Sequence, residues 1–281
     1  MTILAVCSAS GGSGATTTAL ALATTWSEAD AVVLAELDQA GGDLAAWYDL
    51  ARTPGVTSAA MGSREHTVEE LLRHTQALPG GLRVLVGPVR SIEATASVNE
   101  AARVVLPALR TRVDAVVIAD CGRITPSYPS PVPSLAAITV VVVRQDRMSA
   151  PRTVGLLDHA VELVDGLRRV TTPVLVLIGS HPYPAREVEA HVGAELVGVI
   201  GPDDIAAARL AGRLAGARSL SRSRLIRSSR PVATALRTRL GSLVTPSDRP
   251  TVVAAPTVTP PAGNGHRDPE STPAAREGKR R

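Results

Sequence analysis

The sequence predicts an α/β fold with a mostly parallel, doubly wound sheet, and three observations carry that expectation. Apolar runs of strand length alternate along the chain with segments of helical period. The first such run, Ile3 to Cys7, passes straight into a glycine-rich turn and then a helix start. The chain has 281 residues, 44% of them hydrophobic and 20% charged, enough to bury one large core without disulfide or metal staples.

Taken in order, the apolar runs place strands near Ile3–Cys7, Val32–Leu37, Arg83–Val86, Ala115–Asp120, Ile138–Val143, Val174–Ile178 and Val197–Ile200. Helices are expected between them, near Ala15–Ser27, Thr67–Thr75, Ile92–Leu109, Pro151–Leu167 and Asp203–Leu214. The alternation points to a sheet covered on both faces. No internal repeat is evident. From Thr245 onward prolines recur without apolar periodicity, so one domain over 1–243 is expected, followed by a disordered Pro-rich tail over 244–281.

Composition excludes several classes. Cys7 and Cys121 both close expected strands and lack metal-ligand spacing, which argues against a disulfide framework and for a reduced, cytoplasmic protein. The longest apolar stretches, such as Ile138 to Val143, are too short to span a bilayer, and the start carries no charged leader. Phenylalanine is absent, and the only lysine is Lys279.

The turn after the first strand reads Ser8-Ala9-Ser10-Gly11-Gly12-Ser13-Gly14-Ala15-Thr16-Thr17-Thr18. Side-chain-free backbone between a buried strand and a helix N-terminus lets successive N–H groups converge on an anion, the arrangement of a phosphate-binding loop. The usual G-x-x-x-x-G-K-[ST] pattern would put lysine at position 15, where this chain has Ala15. Ser10 to Thr17 resembles the deviant Walker A motif of the ParA/MinD family, K-G-G-x-G-K-T-T, with Ser10 and Ala15 in place of its two lysines. The resemblance covers most of 1–243 and implies a P-loop NTPase fold, with Ser10, Gly11, Gly12, Ser13, Gly14, Ala15, Thr16 and Thr17 around the phosphates of ATP.

In open parallel sheets ligands sit beyond the carboxyl ends of the strands, and three further strand ends extend the resemblance. Glu36-Leu37-Asp38-Gln39-Ala40-Gly41-Gly42-Asp43-Leu44 is similar to the family's D-x-D-x-x-G-G-D-L segment. Asp38 then falls on the aspartate that orients the attacking water, and Glu36 replaces the first aspartate. A plain turn and helix cap before Asp43 is the alternative. Val116 to Gly122 resembles a Walker B strand, which implies that Asp120 holds Mg²⁺ through water and that the Thr16 hydroxyl ligates it. Gly201-Pro202-Asp203-Asp204 looks like the family's turn beside the base, with Pro202 against it. Gly179-Ser180-His181-Pro182 lacks the asparagine that relatives use to read adenine.

The implied function is a degenerate, ATPase-deficient nucleotide-binding protein that acts in spatial positioning or as a scaffold for a pilus, secretion, division or partition machine, with protein partners. An active ATP-dependent partition ATPase is the alternative, with Arg144 or Arg123 replacing the lysines. Relatives form a homodimer across two nucleotides, using the lysine that corresponds to Ser10; a homodimer is possible here, and any such dimer is expected to be independent of ATP. Arg209 to Arg239 contains nine arginines and no acidic residue, which allows a third reading as a non-specific DNA-binding module. Membrane insertion is not expected there, because Pro231 should break the helix and small residues dilute its apolar face.

Overall fold

The computed structural model describes residues 2–26, 30–62, 67–109, 115–125, 129–214 and 220–243. The expected tail over 244–281 lies outside them. In chain order the elements are β1 (Thr2–Ser8), α1 (Ala15–Thr25), β2 (Ala31–Glu36), α2 (Leu44–Trp47), α3 (Val56–Met61), α4 (Val68–Arg73), β3 (Gln76–Ala77), β4 (Arg83–Leu85) and α5 (Ser91–Glu100). A π-helical turn at Ala101–Val105 carries α5 into α6 (Leu106–Leu109). There follow β5 (Ala115–Arg123), β6 (Ile138–Arg144), α7 (Ala150–Leu167), β7 (Thr172–Ile178), α8 (Ala185–Val192), β8 (Leu196–Ile200), α9 (Asp204–Leu210) and α10 (Arg224–Leu243).

All seven expected strands are present and pair in parallel, in one eight-stranded sheet of order β3-β4-β2-β5-β1-β6-β7-β8. The eighth, β3, is two residues long, pairs antiparallel with β4 and forms one edge. β1 lies at the centre, between β5 and β6. Its alternate side chains serve opposite faces: Ile3, Ala5 and Cys7 join the core beneath α3, α5 and α7, while Leu4 and Val6 join the core under α1, α9 and α10. Both cysteines are buried free thiols.

Pro231 does not break α10. The helix runs through it, and Leu225, Ile226, Val232, Ala233, Leu236 and Leu240 are buried against α1 and β8. Burying six apolar side chains, at about 1.5–3 kcal/mol for each large one, outweighs the ~3 kcal/mol that an interior proline costs. The helix expected over Asp203–Leu214 ends earlier, at Leu210, where Gly212 turns left-handed at φ 69°. Asp203 caps it, accepting from Ala206 N at 2.9 Å, and its second oxygen accepts from Arg224 N at 3.1 Å, so one carboxylate fixes the starts of both α9 and α10.

Candidate nucleotide site

The glycine-rich loop leaves β1 and enters α1 as expected. Gly12 and Gly14 adopt φ of 74° and 83°, left-handed values that a β-carbon strains. Gly11 and Gly12 face open space: apart from the adjoining residues of the chain, nothing stands within 4 Å of where a β-carbon would sit. Ser8 to Thr17, except Ala9 and Ser10, line a crevice of about 720 Å³ above the central strands. The two positions that differ from the family motif are visible in detail. The Ser10 hydroxyl is 2.7 Å from that of Ser13, engaged within its own loop, and Ala15 is a buried methyl at the first residue of α1.

Three acids, Glu36, Asp38 and Asp120, stand near the ends of the adjacent strands β2 and β5, with Asp38 in the crevice lining and the other two outside it. Asp120 is paired in register with Glu36 across β2 and β5. It is buried, its Oδ1 accepts from Gly122 N at 3.1 Å, and its Oδ2 has no hydrogen-bond partner. Burial pushes its pKa up to about 7; the nearby Thr16 hydroxyl opposes the rise, and the Glu36 and Asp38 carboxylates add to it. Asp38 lines the crevice, and burial raises its pKa against the bond from Ala40 N at 2.7 Å. Glu36 does different work from its neighbours. Its Oε1 accepts from Asp43 N at 2.5 Å and Leu44 N at 2.9 Å, and its Oε2 from Gly87 N at 2.9 Å. It caps α2 and ties that helix to the end of β4, so its carboxylate is spent on backbone.

An orphaned, buried carboxylate oxygen beside Thr16 suits a hydrated cation, since charge or a donor is what that oxygen lacks. Among the described residues no three His, Cys, Asp or Glu are grouped to cage a metal. Mg²⁺ suits a site with one or two protein ligands such as Thr16 and Asp120, because it keeps several of its waters.

The opposite wall is arginine-rich. Arg123, Arg144, Arg147 and Arg213 all line the crevice. Arg144 is not free to replace a lysine: Nε and Nη2 grip Asp146 at 2.8 and 3.1 Å, and Nη2 also reaches Asp204 at 3.2 Å, where Arg147 is bound as well. Arg213 lies over the Trp47 ring, 5.4 Å from its centroid. Arg123 ends β5, in register with Ser8 of β1, and makes no ion pair among the described residues. Arg147, Arg213 and Trp47 are additions that no motif marked. Pro202 is half-buried at the start of α9 and stands outside the lining, which α9 supplies through Asp204, Ala207 and Ala208. Ser10 also stands outside it. The structure thus gathers Thr16, Thr17, Asp38 and the glycines around one crevice, with Asp120 outside its lining.

No protein-family model matches the chain, and no curated protein matches it. Solved structures do. The septum site-determining protein MinD from Pyrococcus horikoshii OT3, solved as a complex with Mg-ADP, superposes with a TM-score of 0.66 at 13% identity over 86% of this chain and 98% of its own. A ParA family ATPase from Chlorobium tepidum TLS gives 0.66 at 14% identity over 83% of this chain and 98% of its own. Cobyrinic acid a,c-diamide synthase from Mycobacterium smegmatis, solved with ADP and magnesium, gives 0.56 at 20% identity over 86% and 96%. The chain has the ParA/MinD P-loop fold. Because that fold also carries a synthase, it does not by itself assign a function.

Proposed function

We propose that the chain is a nucleotide-binding positioning or scaffold protein of ParA/MinD type that binds ATP–Mg²⁺ weakly and hydrolyses it near the background rate. The observation that carries this reading is a selective loss. The sequence keeps the motif's glycines, Thr16, Asp38 and Asp120, the first three of these sets line the crevice, and Ser10 and Ala15 remove both cations of the motif. A charge-assisted hydrogen bond is worth about 1.5–3 kcal/mol, so losing the lysine at position 15 weakens phosphate binding by about 10- to 100-fold. Hydrolysis suffers more, because each preorganised donor aimed at transition-state charge supplies on the order of 10²–10³ in rate.

In this reading the loop N–H groups at Gly11 to Ala15 hold phosphate oxygens, Thr16 and Asp120 hold Mg²⁺ directly and through water, and Asp38 orients the attacking water. Mg²⁺ held there by Thr16 and Asp120 would supply positive charge to offset that of the phosphate oxygens. With Ser10 engaged inside its own loop, no cation at that position reaches a second subunit's phosphates, so any homodimer would be independent of ATP. The active-ATPase alternative is supported by Arg123, the crevice arginine that makes neither an ion pair nor a ring contact among the described residues. Phosphate release separates the two readings: the first expects none above background, and the second expects turnover that Arg123→Ala removes.

A further inference from the structure

We propose that a second cavity, separate from the glycine-rich loop, binds a small planar anion: an aromatic or heterocyclic ring bearing a carboxylate, sulfonate or phosphate. The cavity is about 800 Å³, larger than the loop crevice and within the range of small-molecule sites. It lies on the α1 side of the sheet, between the end of α1, α2, the β3–β4 turn and the end of α9.

Two features define its chemistry. The whole chain has five aromatic residues, and three of them, Trp26, Trp47 and Tyr48, line this one space, including both tryptophans. Flat walls of this kind favour a flat ligand. The second feature is Arg209. Its Nε is fully buried and has no hydrogen-bond partner, and its guanidinium forms no ion pair among the described residues. The Nε itself is sealed from the cavity, so the part of the guanidinium that lines it, with no carboxylate paired to its charge, is what an anionic oxygen meets. Arg83 lines the same space. Of the two carboxylates present, Asp30 is already held by Arg237 at 2.6 Å and by the Trp26 indole at 3.2 Å, which leaves Asp49 alone against two guanidiniums.

The tryptophans also supply the readout. The chain has two indole N–H signals, and Trp26 lines this cavity and not the loop crevice, whereas Trp47 lines both. The test is titration of the full chain with 1-naphthoate, followed by calorimetry and by the indole ¹⁵N–¹H resonances, with 1-naphthylmethylammonium as a cation of similar shape. The expected result is saturable binding of the naphthoate that shifts the Trp26 indole signal, at least tenfold weaker binding of the cation, and a loss of at least tenfold for naphthoate in Arg209→Gln. Equal affinity for the two probes, an unmoved Trp26 signal at saturation, or no binding of naphthoate at millimolar concentration overturns the proposal. The comparison of the two probes on the unaltered chain decides the matter if Arg209→Gln does not fold.

Discussion

The Asp38 carboxylate rests on the α-carbon of Gly122: a methyl group built there would stand 1.8 Å from Oδ2. Gly122 also holds φ at 57°, so both space and backbone demand glycine. Gly122→Ala should therefore cost about 1–3 kcal/mol in urea unfolding. Part of that loss should return in Gly122→Ala with Asp38→Ala, because the clash has lost its partner. Strictly additive losses in the double variant would show that the two residues do not touch.

Glu36 should behave as a structural group. Glu36→Ala leaves the N–H groups of Asp43, Leu44 and Gly87 without their acceptor. At about 1–3 kcal/mol for each unmet donor, a loss of at least ~3 kcal/mol is expected, with Glu36→Gln in between. Chemical denaturation measures it, and a loss below ~1 kcal/mol would contradict the clamp.

Asp120 should give the metal-free protein a pH-dependent stability. Its carboxyl has an ordinary value of 3.8 and is raised to about 7 by burial in the fold. Between those values the native state keeps a proton that the unfolded chain has released, so stability falls as pH rises from about 4 to about 7 and then levels off. At ~1.4 kcal/mol per unit, the fall amounts to a few kcal/mol. In EDTA, Asp120→Asn should flatten that slope and exceed the natural chain in stability at pH 8. Parallel pH profiles for the two proteins would contradict the raised pKa.

The parallel sheet and the loop were legible because both rest on short-range signals: apolar runs of strand length, and glycines next to Ser10 and Thr16. What escaped rests on tertiary contact. β3 is two residues, Gln76 and Ala77, with no apolar pattern to read. α2 is four residues long and is set by the Glu36 cap. α10 contradicts the local rule at Pro231 because its buried face outweighs the missing bond. In the site, Thr16, Asp38 and Asp120 were readable from motifs at strand ends. Arg213 and Trp47 meet across a long sequence separation and carry no motif. The pinning of Arg144 by Asp146 and Asp204 is likewise a fact of geometry alone.

The arginine segment divides once its contacts are known. Arg237 is engaged with Asp30 and Arg239 with Glu195, whereas Arg222, Arg224, Arg227 and Arg230 are exposed. If the segment meets DNA, these four carry the contact. Weak binding to duplex DNA at low salt is expected, with a slope of about 0.9 in log K against log salt for each phosphate met. Changing all four to Ala should abolish it in a gel-shift titration. Equal binding by that variant would place the contact elsewhere.

The central claim is that the crevice is a family-like nucleotide site short of two positive charges. Calorimetric titration with ATP–Mg²⁺, paired with a phosphate-release assay, tests it on the natural chain and on Ser10→Lys with Ala15→Lys. The natural chain should bind in the range of roughly tens of micromolar or weaker, by the ~10- to 100-fold loss of one charged contact, and release phosphate at background. The double-lysine form should bind at least tenfold tighter and hydrolyse measurably. Robust turnover by the natural chain, or a double-lysine form that binds no better, would contradict the claim.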